Sequence, residues 1–138
     1  MATRPDPLAS LARLRRLETA AARRRVAEDT GRLHTAEARA DAADAALRTE
    51  GEAAPADYAV WLRRGISERD RAALGAAHAV ERLADGRSAL AEARVAERCI
   101  EELMRSRAAA AKAKAQRKAQ TLADDAAGRN AHAAAARG

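Results

Sequence analysis

Proline is nearly absent from this chain, and that absence most constrains its fold. Between Leu8 and Ala136 the only proline is Pro55. A proline inside a helix costs about 3 kcal/mol, so the long stretches on either side of Pro55 are free to be helical. Residues 51–54 before it include Gly51 and are suited to a turn. We therefore predict an all-α fold, an antiparallel two-helix coiled-coil hairpin with a longer, overhanging second helix.

The amino-acid composition agrees with long helices and argues against a compact enzyme. The chain has 43 alanines, one tryptophan, one tyrosine and no phenylalanine. Alanine is the best helix former, so local propensity and the predicted fold agree. Large apolar side chains are sparse, and little surface is available to bury at ~25 cal/mol per Å². Such a composition is typical of coiled coils.

The predicted boundaries make the chain, residues 1–138, a single coiled-coil domain. We expect helix one over about 7–50, a turn at 51–54, helix two over about 55–127, and a frayed tail at 128–138. Asp6 is suited to cap helix one because its carboxylate can accept from free N–H groups, and Pro7 suits the first turn. Helix two is expected to begin near Pro55, with Asp57 in its first turn, where a carboxylate complements the helix dipole.

Heptad spacing in helix one predicts the face that packs. Val26, Leu33, Ala40 and Leu47 share one heptad position, and its companion position holds alanines at 22, 36 and 43, with Asp29 as the exception. The apolar positions predicted for the packing face of helix two are Leu62, Ile66, Ala73, Ala76, Val80, Leu83, Leu90, Ala93, Ile100 and Met104. This series requires a change of register near Gly86. We interpret Gly65, Gly75 and Gly86 as tolerated defects, with bending or close approach of a partner as the alternative.

The helices differ in length, so part of helix two is predicted to have no partner within the chain. A turn at 51–54 pairs residues whose numbers sum to about 109, which brings Leu47 to Leu62 and Val26 to Leu83. About 25 residues from Leu103 onward then project beyond helix one. Residues 105–138 carry eight basic and two acidic side chains, whereas charges in 1–104 balance. The projecting segment is therefore a basic helix, suited to an acidic partner surface or to phosphates.

The sequence contains no pattern typical of catalysis or of cofactor or metal binding. The three histidines lack partner ligands at metal-binding spacing on the same face, and glycine-rich phosphate loops and nucleophile elbows are absent. We expect no enzymatic activity, no cofactor, no metal and no small-molecule substrate. The N-terminus lacks the apolar run of a secretory signal, no stretch is apolar enough for a membrane span, and Cys99 is the only cysteine. We expect a cytoplasmic protein, associated with a membrane only through partners.

The two ends of the predicted hairpin are the candidate binding surfaces. Tyr58 and Trp61, the only aromatic residues, lie within one turn of each other beside Leu62, at the tip. They either cover Leu47 or form a recognition patch, and we favour recognition because Trp and Tyr dominate binding hot spots. At the other end, the basic segment lacks aromatic residues for base stacking and any nucleic-acid motif, which disfavours nucleic acid as its partner.

Three segments resemble the FliJ/YscO family, the coiled-coil stalk proteins of flagellar and injectisome type III export. They are the opening LASLARLRRLETAAARRR at Leu8–Arg25, the Asp-Tyr-x-x-Trp-Leu pattern at Asp57–Leu62, and a closing pattern of Glu101, Arg107, Lys118 and Leu122–Ala126. The similarity spans roughly residues 8–128 and includes the short first helix and longer second helix. The alanine content, the lack of phenylalanine and the internal glycines depart from the family.

The resemblance implies a non-enzymatic role in protein export. Paired termini of such a stalk insert in the central pore of the hexameric export ATPase, promote ring assembly and hydrolysis, and link the ring to the export gate or to export chaperones at the cytoplasmic face of the inner membrane. Carried over to this chain, the tip contacts would be Tyr58, Trp61 and Leu62. The residues facing the ATPase would be Arg13, Arg16, Arg105, Arg107, Lys112 and Lys114. The sequence leaves two other hypotheses open, a basic coiled coil that binds nucleic acid non-specifically and an oligomeric coiled-coil scaffold.

Overall fold

The computed structural model describes residues 6–50 and 57–138, apart from the side chain of Glu50. They form two α-helices, α1 (Pro7–Glu50, 44 residues) and α2 (Tyr58–Ala135, 78 residues), and these residues contain no strand. The two helices pack against each other as an all-α helical hairpin, with α2 the longer. In neither described helix is any stretch long and apolar enough to cross a membrane.

The start of α1 has the predicted cap. Asp6 Oδ1 accepts a hydrogen bond from the Leu8 backbone N–H at 3.1 Å, and the Asp6 carbonyl accepts one from Ser10 N–H at 3.1 Å. This arrangement satisfies amide groups that have no partner inside the helix. The expected start of helix two at Pro55 lies outside the described residues. In the described part, the Asp57 carbonyl accepts from the N–H groups of Val60 and Trp61, each at 3.1 Å.

The end of α2 differs from the prediction of a frayed tail over 128–138. The helix continues to Ala135, and only the last three residues lie beyond it. Gly128 costs about 1 kcal/mol relative to alanine, but alanines on both sides favour continuing the helix. One glycine in an alanine-rich segment is therefore not enough to end it.

Two compact units can be distinguished, and the larger one, Arg13–Glu97, contains most of α1. Within this unit the less exposed α1 residues alternate at spacings of four and three from Arg15 to Leu47. They include the two predicted heptad positions, with Val26, Leu33 and Leu47 at one and the alanines at its companion. Asp29 occupies the companion position as predicted, and it is buried, with only 4 % of its surface exposed. The heptad prediction for α1 is confirmed from Ala22 onward.

In the same unit, the packing face of α2 is partly the predicted one, because Leu62, Ala76, Leu83, Leu90 and Ala93 lie on it and three predicted residues do not. Ile66, Ala73 and Val80 are exposed, and residues one position earlier face α1 instead. The less exposed α2 residues on the packing face are Leu62, Gly65, Ala72, Ala76, Ala79, Leu83, Gly86, Leu90 and Ala93. From Ala72 to Ala93 their spacing alternates between four and three without a break, so the predicted change of register near Gly86 does not occur. The prediction followed side-chain size, whereas small residues allow two helix backbones to approach closely.

Glycines at the packing face show how close this approach is. A Cβ added to Gly65 would lie 2.5 Å from Leu47 Cδ2, and one added to Gly86 would lie 3.6 Å from Val26 Cγ2 and 3.3 Å from Asp29 Oδ2. The interpretation of these two glycines as tolerated defects is therefore wrong, and their role is close helix packing. Gly75 has nothing within 4 Å of an added Cβ and remains a tolerated interruption.

These contacts also fix the register within the unit. Leu47 lies against Gly65 and Val26 against Gly86, so paired residue numbers sum to 112 instead of about 109. The pairs predicted from the sequence, Leu47 with Leu62 and Val26 with Leu83, are therefore displaced by three residues, close to one helical turn.

The smaller unit combines the chain up to Ala12 with Arg98–Gly138. Ala12 is buried, and Leu8, Ile100 and Met104 are half-buried. Arg107 Nη1 lies 4.0 Å from Asp6 Oδ1, so the side chain of Arg107 reaches the capping residue of α1. Beyond Arg107, α2 continues for almost eight further turns of helix, about 42 Å.

Candidate functional site

The tip residues form a small aromatic cluster at the start of α2. The rings of Tyr58 and Trp61 stack with centroids 5.6 Å apart and planes inclined by 29°. Tyr58 and Val60 are exposed, while Trp61 and Leu62 are half-buried. Because the stack already fixes the ring of Tyr58, binding a partner there would cost little side-chain entropy. The structure thus brings the three predicted tip residues together.

The second surface is the basic overhang, which we define as residues Arg105–Ala135 of α2. Among these residues only Ala113 and Ala126 are half-buried, and all the others are exposed. Arg105 forms an exposed ion pair with Glu102 at 2.8 Å, a contact between neighbouring turns that leaves the guanidinium open to solvent. Lys112 and Lys114 have no ion-pair or hydrogen-bond partner among the described residues. The overhang therefore presents uncompensated positive charge on a helix with no apolar cover.

Arg13 and Arg16 were predicted to face the same partner as the overhang. Both are exposed on α1 within the larger unit, and neither forms an ion pair or hydrogen bond with a described residue. Nearby, the α1 face that packs on α2 carries Arg15 and Thr19, whereas Leu14 and Leu17 are 50 % and 61 % exposed. Leu14 and Leu17 therefore point outward where the packing face itself is polar.

Polar side chains also lie inside the helix–helix contact of the larger unit. Thr19 is only 2 % exposed and its hydroxyl has no hydrogen-bond partner. Asp29 Oδ1 lies 3.4 Å from Arg32 Nη1, but Oδ2 is 3.7 Å from Arg25 Nε and accepts no hydrogen bond. Gly86 leaves room for this carboxylate. Buried polar groups at such positions specify register at the expense of stability.

A third surface, which the sequence analysis did not identify, is a furrow along one side of the larger unit. Its central part is a groove of about 380 Å³ whose floor is formed by small residues and whose rim carries Arg39 from α1 and Arg71 and Arg82 from α2. Two adjoining depressions share residues with it. Together they form the arginine furrow, lined by Arg32, Arg39, Arg63, Arg64, Arg71 and Arg82 with Glu28 and Glu68. The seven-residue spacing of Arg25, Arg32 and Arg39 was the sequence signal that could have indicated it.

No group of three metal-ligating side chains is found in the described parts of the chain. Cys99 is a free, exposed thiol. Comparison with known proteins finds no matching family model, no matching curated protein and no matching solved structure.

Proposed function

We propose that this chain is a non-enzymatic stalk of a type III protein export apparatus. In this proposal its basic end binds the hexameric export ATPase, and its tip contacts the export gate or an export chaperone. The observation that carries the proposal is the basic overhang, a long exposed helix with a net positive charge and no covering element among the described residues. The sequence resemblance of Leu8–Arg25 and Asp57–Leu62 to the FliJ/YscO family supports the choice of partner.

The electrostatics favour an acidic, enclosing partner. An isolated helix is only marginally stable in water, so a long uncovered one gains most from a partner that surrounds it. Lys112 and Lys114 have no acidic partner in the described part of the chain, and they can meet carboxylates of a pore lining. Such charge complementarity would steer the helix into the ring and fix its orientation there. Arg13, Arg16, Arg105 and Arg107 would add to the same attraction.

The deciding experiment is ATP turnover by the cognate ring ATPase with and without the chain. We expect stimulation by the wild type and loss of most of it for Lys112→Glu with Lys114→Glu, because reversed charges repel an acidic lining. The matched control is Arg23→Glu with Arg87→Glu, which changes the net charge equally at two exposed arginines of the larger unit. Absence of stimulation, or equal losses in the two variants, would contradict the proposal.

The same samples separate the proposal from the two other hypotheses. A protein that binds nucleic acid through the overhang would shift DNA in gels with an affinity that falls linearly with salt on logarithmic axes. An oligomeric scaffold would give a dimer mass by light scattering. We expect neither behaviour at physiological ionic strength.

The tip has a separate test. Tyr58→Ala with Trp61→Ala removes the exposed aromatic stack while leaving Lys112 and Lys114 unchanged. This variant should keep the stimulation of the ATPase but lose binding to the gate protein or chaperone in a direct titration. Loss of both activities together would mean that the tip supports the fold and is not a binding surface.

A further inference from the structure

The arginine furrow is a second charged surface, in a different unit from the basic overhang. Arg39, Arg71 and Arg82 converge on one groove, although like charges at close range repel each other. None of the three forms an ion pair or a hydrogen bond with a described residue. Elsewhere in the larger unit, arginines such as Arg15 and Arg48 pair with carboxylates on their own helix. The furrow is thus a place where the chain leaves positive charge uncompensated.

Gly75 leaves one position in the lining of the central groove without a side chain. An added Cβ there would meet nothing within 4 Å, so helix packing gives no reason for glycine at this position. Alanine would be about 1 kcal/mol more favourable in the helix. Ala36 and Ala72 complete the small-residue part of the lining. A shallow apolar floor between guanidinium groups suits a backbone or short side chain flanked by carboxylates.

We propose that the arginine furrow binds an acidic peptide segment of a partner protein. Arginine recognises carboxylates through paired N–H donors, and the furrow offers arginines from Arg63 to Arg82 along about 28 Å of α2. Two carboxylates, Glu28 and Glu68, lie among them, so the furrow suits an occupant whose negative charges are spaced apart more than one charged at every unit. The furrow also contains no aromatic side chain on which bases could stack. The chemistry therefore favours an acidic peptide over nucleic acid.

The test uses fluorescence anisotropy of a labelled peptide of repeated Glu-Ala-Ala triplets, long enough to span the furrow, with a Gln-Ala-Ala peptide as the uncharged control. All variants carry Lys112→Gln and Lys114→Gln, so that binding to the overhang does not hide binding to the furrow. Arg39→Glu with Arg71→Glu should raise the Kd about tenfold or more, because two charge-assisted contacts are lost. The matched Arg23→Glu with Arg87→Glu variant, whose positions do not line the furrow, should change the Kd less than threefold.

A glycine pair provides a second readout that loss of folding cannot imitate. Gly75→Ala should stabilise the hairpin and yet weaken peptide binding, since the new methyl group raises the groove floor. Gly128→Ala, also with nothing within 4 Å of its Cβ, should stabilise α2 and leave peptide binding unchanged.

Three results would overturn the proposal. If the two charge-reversal variants raise the Kd equally, the peptide binds by general electrostatic attraction and not in the furrow. Equal affinity for the uncharged peptide would exclude carboxylate recognition. Tighter binding of single-stranded DNA through Arg39 and Arg71 would assign the furrow to nucleic acid. Stimulation of the ATPase plays no part in this experiment, so its outcome is independent of the proposed stalk function.

Discussion

Replacing two glycines of α2 that lie ten residues apart should have opposite effects on stability. Gly75→Ala adds a methyl group into open space and restricts the unfolded chain, so it should raise the free energy of unfolding by about 1 kcal/mol. Gly65→Ala gains the same helix propensity, but its Cβ would lie 2.5 Å from Leu47 Cδ2 and 3.4 Å from Leu47 Cγ. Relieving this overlap requires a new leucine rotamer or a small separation of the helices.

The cost of that adjustment sets the expected difference. Overpacking in a close contact costs about 1–3 kcal/mol. The overlapping atom, Leu47 Cδ2, is the end of a flexible side chain, so we expect a cost near the lower limit of this range. After the gain in propensity, Gly65→Ala should be between neutral and about 2 kcal/mol destabilising. The two alanine variants should therefore differ by about 1–3 kcal/mol.

Urea unfolding followed by far-ultraviolet circular dichroism measures this difference. A double-mutant cycle sharpens the test, because in a Leu47→Ala background the overlap is gone and Gly65→Ala should stabilise as Gly75→Ala does. If Gly65→Ala stabilises the wild-type chain as much as Gly75→Ala does, Leu47 does not lie against Gly65. The register in which paired numbers sum to 112 would then be wrong.

Three further predictions concern the packing face and the overhang. Thr19→Val should raise the free energy of unfolding by about 1 kcal/mol, because a buried hydroxyl without a partner is replaced by a methyl group, as urea titration can check. Asp29→Ala should likewise raise the free energy of unfolding by about 1 kcal/mol, whereas Asp41→Ala, at an exposed position, should change it by less than about 0.5 kcal/mol. A large loss of stability in Asp29→Ala would show that the ion pairs of Asp29 contribute more than the burial of its carboxylate costs. In hydrogen exchange, amides of residues 108–135 should exchange much faster than those around Leu83, and equal protection would reveal a cover on the overhang.

The sequence predicted the elements of the fold better than the contact between them. Alanine propensity and the scarcity of proline predict two long helices, and the Asp6–Pro7 pair marks the start of the first. Heptad spacing also identified the packing face of α1, where apolar residues of different size stand out from arginines. These signals are local, because each depends on the residues of one helix and not on the helix that packs against it.

The packing face of α2 could not be read in the same way. Ile66 and Val80 are larger than Gly65 and Ala79, so a rule based on side-chain size selects the wrong positions. The smaller residues allow the backbones of the two helices to come close together. Whether a small residue is favoured depends on the α1 side chain opposite it, as with Gly86 opposite Asp29. The wrong assignment of Ile66, Ala73 and Val80 to the packing face has this cause.

The candidate binding surfaces were predicted unevenly for a similar reason. Charge composition alone located the basic overhang, and the neighbouring aromatic residues located the tip. The arginine furrow combines Arg39 of α1 with Arg71 and Arg82 of α2, so it exists only in the observed register. A one-dimensional pattern does not show which arginines meet across two helices.

The most direct measurement for the proposed function is co-purification of this chain with the hexameric export ATPase. A tagged ring should retain the wild-type chain and the Arg23→Glu, Arg87→Glu control through gel filtration, and release the Lys112→Glu, Lys114→Glu variant. Raising the ionic strength to about 1 M, where the screening length falls to about 3 Å, should release the wild type as well. Failure of the ring to retain the wild-type chain, or equal retention of the overhang variant, would contradict the account.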